Sequence, residues 1–450
     1  MSTITLVSWP SAPLTHRLVL DSLEKLDAKT NIVNALGKNQ FDRLIQWSTY
    51  DEIDHELTNT RRKSVLASSY TFRKALIRKH YLAHSIHVYL TKFPASILQK
   101  ASPRTYNLDL MFADELDEKW ADDLYELGEF LDNEPHMWWI LKPGMADRGM
   151  GIRLFNTKEA LQEIFEEFEL SDSDNEEGSH SEDEASGVSR TAVVTSQLRH
   201  FVIQEYILSP LLLDPHEIPI HTRPHPSNLR LQGYKFHLRA YCVASGALQL
   251  YLYDRILALF CSVPYARPGP GTDASDGEGS YPKDLEGHLT NTSLQAVRGE
   301  EGVRLFDELV GCQIFGENAD DLGLFAEHDR RDIIRQMTEV LAETFRAALR
   351  IPPLENAFEL YGIDFLVEHL PYGVPVYQVK ILEVNAEPAI ELTGPRLTWV
   401  LEDLFASVAK VCVSPFIGEK QVSDIYGTWG VGETKEHLIK CLDEVLRAGS

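Results

Sequence analysis

The chain is poor in the features that mark secreted, zinc-clustered or membrane-spanning proteins. Its 450 residues include five cysteines, which are widely scattered and show no Cys-x-x-Cys spacing. We therefore expect reduced core thiols rather than disulfides or cysteine-zinc sites. No apolar run is long enough to cross a bilayer, and residues 1–10 carry neither the basic nor the apolar segment of a signal peptide. We expect a soluble, cytoplasmic protein with no membrane partner.

Positive charge is also scarce. The chain has 43 Lys and Arg against 68 Asp and Glu, a formal net charge of −25. Because affinity for phosphate backbones depends mainly on Lys and Arg, direct nucleic-acid binding is not expected, and acidic polypeptide tails are disfavoured. The main positive segment, residues 61–90, is predicted to be helical. It is either an anion-facing surface or a solvated helix face with ordinary pairing.

The length predicts several lobes that share a cleft. A strand-like opening followed by helical spacing predicts a small α/β lobe over residues 1–62. We place a central lobe at 63–200 and a C-terminal lobe at 201–450.

Two insertions and two helices are predicted within these lobes. Residues 168–190 are dense in Ser and acid and predict a disordered insertion, whereas 264–282, rich in Pro and Gly, predict a loop. Apolar residues recur at helical spacing over 332–349 and again from Lys435 onward, which predicts an amphipathic helix in each.

The segment WWILKPGMADRGMGIRLF has the layout of a phosphate cradle. A strand ends in Lys142, and a loop with Gly144, Gly149 and Gly151 leads into a second strand. Glycines let backbone N–H groups turn toward anionic oxygens, while Lys142 and Arg148 add positive charge. No Gly-Lys-Ser/Thr follows, so this is not a Walker loop. A plain hairpin is the alternative.

Two later strands carry polar residues. FVIQEYI is an apolar strand interrupted by Gln204 and Glu205, and its exposed backbone could bind an adenine edge, although it could be merely a strand. GYKFHLRAY places three cationic or titratable side chains on one face by its period of two. Such a face suits phosphate or carboxylate, or else it faces solvent. These side chains are Lys235, His237 and Arg239.

The runs YGIDFLVE and VYQVKILEVN predict a hairpin that pairs two carboxylates. If its centre lies between Gly373 and Val374, Asp364 lies opposite Glu383. Their Cβ atoms would be about 4.5–5.5 Å apart, so a positive group is expected between them. Asn385 shares the face of Glu383, which gives an all-oxygen set suited to magnesium. A protonated carboxylate or a displaced register is the alternative.

Together these motifs resemble the tubulin-tyrosine ligase family over most of the chain. The resemblance implies an α/β (α+β) ATP-grasp fold with N-terminal, central and C-terminal lobes, and with the nucleotide between the last two. It implies ATP and Mg²⁺ as cofactors. The matching series, in order, is WILKPGMADRGMGI, VIQEYI, PLLL, KFHLRAY, LYLY, HLTN, YGIDFLVE and ILEVNAEPA.

The resemblance also implies roles for individual residues. A further phosphate-facing lysine matches either Lys63 or Lys74. The implied ATP-binding residues are Lys142, Arg148, Gly149, Gly151, Gln204, Glu205, Tyr206, Ile207, Lys235, His237, Thr290 and Asn291. The implied magnesium ligands are Asp364, Glu383 and Asn385, and the implied catalytic residues are Lys142, Arg239 and Glu383.

The sequence departs from the family pattern at three positions. His237 replaces the usual aspartate of KFD-x-R, Glu205 replaces a frequent lysine, and Leu259 stands where an arginine normally faces the acceptor. Arg255 lies on the same predicted strand face as Leu259, but four residues span about 13 Å, too far for a simple exchange. The nucleotide half of the site is therefore better preserved than the acceptor half.

The family reaction makes an amide by way of an acyl phosphate, at the expense of ATP. We accordingly expect a ligase that adds a free amino acid to a protein acceptor, either a tubulin tail or another protein. The LYLYDRILALF segment also resembles a fungal branch of the family associated with cytoplasmic mRNA-processing bodies. An ATP-binding adaptor for mRNA-decay proteins is therefore the alternative, and an ATP-grasp ligase of small molecules is a third reading.

Overall fold

A computed structural model describes most of the chain, and its strands form three sheets within the described residues. None of the helices in this part of the chain combines the length and apolar content that a bilayer crossing requires. The described residues are 3–27, 29–36, 41–71, 73–110, 112–144, 151–176, 200–218, 230–269, 281–290, 302–316, 320–348, 354–388, 390–418 and 420–444.

The first sheet is parallel and is followed by three helices. Its described strands run in the order β2-β1-β3-β4. Pro13 begins α1, where its missing N–H costs no helix hydrogen bond. The elements are β1 (Thr3–Ser8), α1 (Pro13–Glu24), β2 (Asn31–Val33), β3 (Arg43–Ser48), α2 (His55–Thr60), β4 (Val65–Ala67), α3 (Lys74–Ile77), α4 (Lys79–Lys92) and α5 (Leu98–Ala101).

The second sheet is antiparallel, and its described strands run β5-β8-β6-β7. Trp139 and Phe155 pair across β6 and β7 and are fully buried against α7 and α8. The elements are β5 (Thr105–Asp109), α6 (Leu116–Lys119), α7 (Tyr125–Asn133), β6 (Trp139–Pro143), β7 (Arg153–Phe155), α8 (Lys158–Glu176) and β8 (His200–Glu205).

The third and largest sheet is centred on two long strands, Tyr234–Ser245 and Phe358–His369, which pair with each other. The elements are β9 (Leu212–Leu213), β10 (Tyr234–Ser245), β11 (Gln249–Tyr253), β12 (Leu257–Phe260), β13 (Val303–Leu305), β14 (Gln313–Phe315), β15 (Asp321–Leu324), α9 (Glu327–Ala348), β16 (Phe358–His369), β17 (Tyr377–Ala386), α10 (Thr398–Val408), α11 (Ser414–Gly418), α12 (Val422–Tyr426), β18 (Thr434–Lys435) and β19 (Leu438–Asp443).

The amphipathic helix predicted over 332–349 is present as α9. Its buried side chains Ile333, Met337, Val340 and Leu341 recur at helical spacing and pack in one apolar core with strands β10, β16 and β17. This packing fixes the strands that carry the paired carboxylates.

Three expectations of secondary structure need correction. The helix predicted from Lys435 is wrong, because Leu438–Asp443 form β19, which pairs with β11 on the side opposite β10. Residues 61–71 are not helical, because the backbone there turns and then joins the first sheet as β4. In both places strand pairing outweighs a local helical pattern.

Part of the segment predicted to be a disordered acidic insertion is helical. Helix α8 runs through Glu176, so residues 168–176 are helical. Phe168 is buried and stacks with Phe201 at 6.4 Å between ring centroids, which anchors this part of the helix. The rest of the predicted insertion, 177–190, and most of the second one, 270–280, lie outside the described residues.

The sheets extend slightly beyond the predicted lobe boundaries. The first sheet includes β4, which ends at Ala67 rather than before residue 62, and the second includes β8, which ends at Glu205 rather than at 200. The division into lobes remains a prediction.

Candidate functional site

The predicted carboxylate pair is present on strands β16 and β17. Asp364 pairs with Glu383, and Gly362 pairs with Asn385. The hairpin itself is centred on Gly373, half a residue from the assumed position, since His369 pairs with Tyr377. A bulge next to Asp364 inserts one extra residue, Leu382, into β17 and restores the predicted pairing.

Cations hold both carboxylates. Arg239 donates from Nε and from Nη2 to Asp364, the second bond being 2.9 Å long, and His237 Nε2 lies 3.5 Å from the same carboxylate. Lys79 Nζ lies 3.2 Å from Glu383 Oε2. Burial alone would raise the pKa of Asp364, but Arg239 and His237 hold it well below its usual range. Positive groups therefore do lie at the pair, as the hairpin predicted.

The donor set fits a small divalent cation. Asn385 Nδ2 lies 3.5 Å from Asp364 Oδ2 and 3.3 Å from Glu383 Oε1, so its amide reaches both carboxylates and can present its oxygen by rotation. All three side chains then offer the oxygen ligands that magnesium prefers. In the described part of the chain, no three His, Cys, Asp or Glu side chains lie close enough together to hold a metal ion. The third ligand of the candidate set is therefore the side-chain amide of Asn385.

Lys142 and Gln204 lie on the neighbouring strands β6 and β8, and a hydrogen bond joins their side chains. Lys142 Nζ donates to Gln204 Oε1 at 2.7 Å, and Gln204 Nε2 donates to Thr105 Oγ1 at 3.3 Å. Burial is the largest influence on Lys142 and lowers its pKa to about 8, although Glu383 acts in the opposite direction. A lysine under this desolvation gains most from an anionic partner.

Lys235 belongs to a second buried polar group. Its Nζ donates to the Tyr206 hydroxyl at 2.9 Å, and that hydroxyl also lies 2.9 Å from His288 Nδ1. Burial, with Lys142 adding to it, lowers the pKa of Lys235 to about 8. Burial and Lys235 together lower the pKa of His288 to about 4, so this imidazole is neutral at pH 7.

The predicted adenine-binding strand needs a correction. β8 lies between β5 and β6, and the N–H groups of Glu205 and Tyr206 donate to Arg104 O and Trp138 O. These two N–H groups are therefore not available to an adenine edge, and the expected adenine contacts of Gln204 to Ile207 remain predictions. The Glu205 side chain lies 3.9 Å from the exposed Arg104 guanidinium.

The Gly-rich loop is described at its two ends. Gly151 has φ +71°, a left-handed conformation that favours glycine. At the site of the HLTN motif, Thr290 Oγ1 lies 2.5 Å from His237 Nδ1. Arg148, Gly149 and Asn291 lie outside the described residues, so their expected roles remain predictions.

The structure brings in Lys79, which the sequence analysis missed. Lys63 and Lys74, the two lysines considered, are exposed, whereas Lys79 begins α4 and lies against Glu383. Together with Lys142 and Gln204, Lys79 lines a cavity of about 30 Å³ between the second and third sheets. Its position in the same basic segment was the available signal, but only the fold shows which lysine points inward.

Leu259 stands at the position where the resemblance leads one to expect an arginine. Leu259 is buried and pairs with His237 across β12 and β10, so it lies on the face that carries Arg239. Arg255 lies outside β12, where its Nε is 3.6 Å from Asp403 and its guanidinium stacks on Trp399. It therefore does not replace the missing arginine.

The fold matches a solved structure. The crystal structure of the C-terminal domain of K. lactis Pby1 covers 99% of this chain, and the match covers all of that domain, with a TM-score of 0.65 and 28% identity. That protein is described as an ATP-grasp enzyme that interacts with the mRNA decapping enzyme Dcp2. The chain accordingly has the ATP-grasp fold, as expected.

Sequence comparison gives relatives of the same kind. A probable tubulin–tyrosine ligase of Saccharomyces cerevisiae, PBY1, is 35% identical over 426 residues, which cover 91% of this chain and 51% of the relative. The chain thus spans about half the length of that protein. A probable tubulin–tyrosine ligase of Schizosaccharomyces pombe, C12B10.04, is 33% identical over 410 residues, 88% of each chain. The profile of the tubulin-tyrosine ligase family matches residues 59–421, and the chain belongs to that family.

Proposed function

We propose that this protein is an ATP- and Mg²⁺-dependent carboxylate-amine ligase that joins an amino acid to a protein. The observation that supports the proposal most directly is the pairing of Asp364 with Glu383, beside Asn385, against the partly buried cations Arg239 and Lys79. An arrangement of this kind suits the polyphosphate of a nucleotide together with a metal ion.

Each side chain has a role in the proposed reaction. ATP would transfer its γ-phosphoryl group to the acceptor carboxylate, and the amine of the amino acid would then displace phosphate from the acyl phosphate, losing a proton. Magnesium, when bound at Asp364, Glu383 and Asn385, supplies charge that offsets the transferred phosphoryl group. Lys79, Lys142 and Lys235 bind phosphate oxygens in this scheme. Arg239 holds a carboxylate or stabilises the tetrahedral intermediate.

The reaction is tested by ADP release. The purified protein is incubated with MgATP, a panel of amino acids, and acceptors that include intact and detyrosinated tubulin, peptides and cell extract. We expect ADP release that needs both an amino acid and a protein acceptor. Release with metabolites alone would favour a small-molecule ligase, and no release with any acceptor would refute the ligase.

Nucleotide affinity should fall at alkaline pH. Both Lys142 and Lys235 have a pKa lowered to about 8, mainly by burial. Because phosphate binding needs their charged forms, we expect ATP affinity measured by calorimetry to weaken by about tenfold or more from about pH 7 to 9.5. Lys142→Arg, which stays charged, should show a flatter profile. An unchanged dissociation constant across this range would contradict the assignment.

The same lysines predict an opposite trend in the stability of the free protein. Their pKa in the unfolded chain is about 10.4, so the unfolded state binds more protons between about pH 8 and 10. The free energy of unfolding should therefore rise with pH in this window while ATP affinity falls. The opposed trends separate loss of binding from loss of fold.

A second candidate function is an ATP-binding adaptor in cytoplasmic mRNA-processing bodies. It is favoured by Leu259 at the acceptor position and by the decapping-enzyme partner of the K. lactis protein. Co-purification from cells should then recover mRNA-decay proteins in stable complexes. Recovery of tubulin alone, or of no partner, would count against it.

A further inference from the structure

Three separate parts of the chain meet at the Lys235 side chain. Lys235 is the second residue of β10 in the third sheet, Tyr206 directly follows β8 of the second sheet, and His288 lies two residues before Thr290. Lys235 Nζ donates to the Tyr206 hydroxyl oxygen at 2.9 Å, and this oxygen lies 2.9 Å from His288 Nδ1. The tyrosine hydroxyl therefore links the end of a second-sheet strand to a strand of the third sheet.

The protonation of these groups fixes the direction of both hydrogen bonds. Burial, followed by Lys235, lowers the pKa of His288 to about 4, so the imidazole is neutral at pH 7. Burial, with Tyr265 and Cys261 adding to it, raises the pKa of Tyr206 well above its ordinary value, so the hydroxyl keeps its proton. Because the lysine donates to the hydroxyl oxygen, the hydroxyl hydrogen is available to Nδ1, and we assign the imidazole hydrogen to Nε2. Hydrogen bonds in such a series strengthen one another.

Lys235 needs this acceptor because its ammonium group is buried. The residue is only 5% exposed, and burial lowers the pKa of Lys235 to about 8. Lys142 lowers it further, and Cys261 acts in the opposite direction. A buried ammonium group that lost its hydrogen-bond acceptor would be still harder to keep charged. The titratable groups that act on this network are Tyr206, Lys235, His288, Lys142, Cys261, Tyr265 and Asp284.

Apolar packing holds the tyrosine and the histidine in place. Tyr206 and Tyr265 belong to one buried cluster, against which Leu285 and Leu289 pack from the segment that carries His288. The His288 ring is edge-on to both tyrosines, with ring centroids 5.7 Å from Tyr206 and 6.0 Å from Tyr265. The acceptor atom of His288 is therefore positioned by contacts that do not depend on Lys235.

We propose that Tyr206 and His288 are positioning residues that keep Lys235 charged and ready to bind a nucleotide phosphate. They act through Lys235 rather than on the nucleotide. The proposal rests on the proposed function, in which Lys235 binds a phosphate oxygen. It gives the Tyr206 side chain a role separate from the adenine contacts expected of its segment, and it assigns a role to the histidine of the HLTN motif.

ATP affinity measured against pH tests the role of Tyr206. Tyr206→Phe removes the hydroxyl and keeps the ring, whose centroid lies 4.2 Å from Lys235 Nζ. In calorimetric titrations with MgATP from about pH 6 to 9.5, we expect the midpoint of the affinity loss to fall by roughly one pH unit or more. Near pH 6, where Lys235 is still charged, the affinity should stay within about threefold of the unmodified protein. A tyrosine that only packs would change the affinity equally at every pH, or not at all.

Variants of His288 and a matched control extend the test. His288→Leu removes the acceptor of the tyrosine hydroxyl and should shift the midpoint in the same direction by a smaller amount. His288→Asn, whose amide oxygen can take the place of Nδ1, should restore the unmodified profile. Tyr253→Phe is the control, because it removes another buried tyrosine hydroxyl, which donates to Val400 O at 3.0 Å. This control should leave the profile unchanged, and melting temperatures verify that each variant is folded.

A measurement without nucleotide separates this proposal from the ligase. The pKa of an unfolded lysine is about 10.4, so the free energy of unfolding rises with pH from about the folded-state pKa upward. In urea denaturation over a series of pH values, this rise should begin roughly one pH unit or more lower in Tyr206→Phe than in the unmodified protein. That shift in a protein that does not bind MgATP would support the network and contradict the proposed function.

Other outcomes would overturn the proposal. Tyr206→Phe and the unmodified protein with the same pH midpoint in both measurements would do so and leave the nucleotide site intact. A loss of ATP affinity in Tyr206→Phe that is equal at every pH would show a packing role instead. A shifted profile in His288→Asn as large as that in His288→Leu would refute the role of His288.

Discussion

Replacing Asp364 with asparagine should lower the free energy of unfolding by about 3–5 kcal/mol, because it leaves the Arg239 guanidinium without its counter-charge. Asp364 is 5% exposed and accepts two hydrogen bonds from Arg239, with His237 Nε2 at 3.5 Å. Urea denaturation at pH 7 measures the loss. Since the folded-state pKa of Asp364 lies below its unfolded value, this contribution is present above about pH 4 and is lost as the pH falls further.

Two further variants identify the cause. The double variant Asp364→Asn/Arg239→Met removes the stranded cation and should recover most of the lost stability without restoring nucleotide turnover. The matched control is Asp332→Asn, which breaks an exposed ion pair with Arg335 at 2.7 Å and should cost less than about 1 kcal/mol. Equal costs for Asp364→Asn and Asp332→Asn would contradict the charge balance described for the site.

Replacing Lys142 with methionine should weaken ATP binding by about 10- to 150-fold, because one charge-assisted hydrogen bond to a phosphate contributes about 1.5–3 kcal/mol. The fold should tolerate the change. Burial already disfavours the charged lysine, whose pKa is lowered to about 8, so an apolar side chain of similar length suits the position. Gln204 loses its hydrogen-bond donor, which limits any gain in stability.

A surface lysine at the start of α8, the helix that packs against the second sheet, provides the control. Lys158 pairs with Asp132 at 2.6 Å on the surface, away from the cleft, so Lys158→Met should leave ATP affinity unchanged. Calorimetric titration with ATP and magnesium measures both variants. If Lys142→Met bound ATP as tightly as the unmodified protein, Lys142 would not be a phosphate ligand.

The sequence predicts best those features of the site that depend on the alternation of side chains along a strand. Alternation along β10 put Lys235, His237 and Arg239 on one face, and the buried partners of these side chains bear this out. The Asp364–Glu383 pairing was also predicted, but from a hairpin centre half a residue away. The bulge at Leu382 compensates for this half-residue offset. A bulge cannot be recognised from the alternation of side chains along a sequence.

The features that sequence missed depend on tertiary contacts. Lys63, Lys74 and Lys79 cannot be told apart by their charge, and only the fold, which packs α4 against β5 and β8, brings the Lys79 ammonium group to Glu383. Pairing with β11 likewise makes the C-terminal segment Leu438–Asp443 a strand, although the spacing of the apolar residues in this segment also fits a helix. Arg73 and Glu387 come from opposite ends of the chain and meet only in the folded protein.

The acceptor half of the site distinguishes this chain from the pattern that it resembles. Leu259 stands where the resemblance predicts an arginine, while Arg239 on the neighbouring strand donates to Asp364.

The central proposal, that Asp364, Glu383 and Asn385 hold magnesium against the phosphates of ATP, is tested by titrating ATP with and without magnesium into the protein and Glu383→Gln. Glu383 is partly exposed, so this variant should remain folded. We expect the unmodified protein to bind ATP at least about tenfold more tightly with magnesium, and Glu383→Gln to lose that gain. The same magnesium-dependent gain in both proteins would contradict the metal assignment.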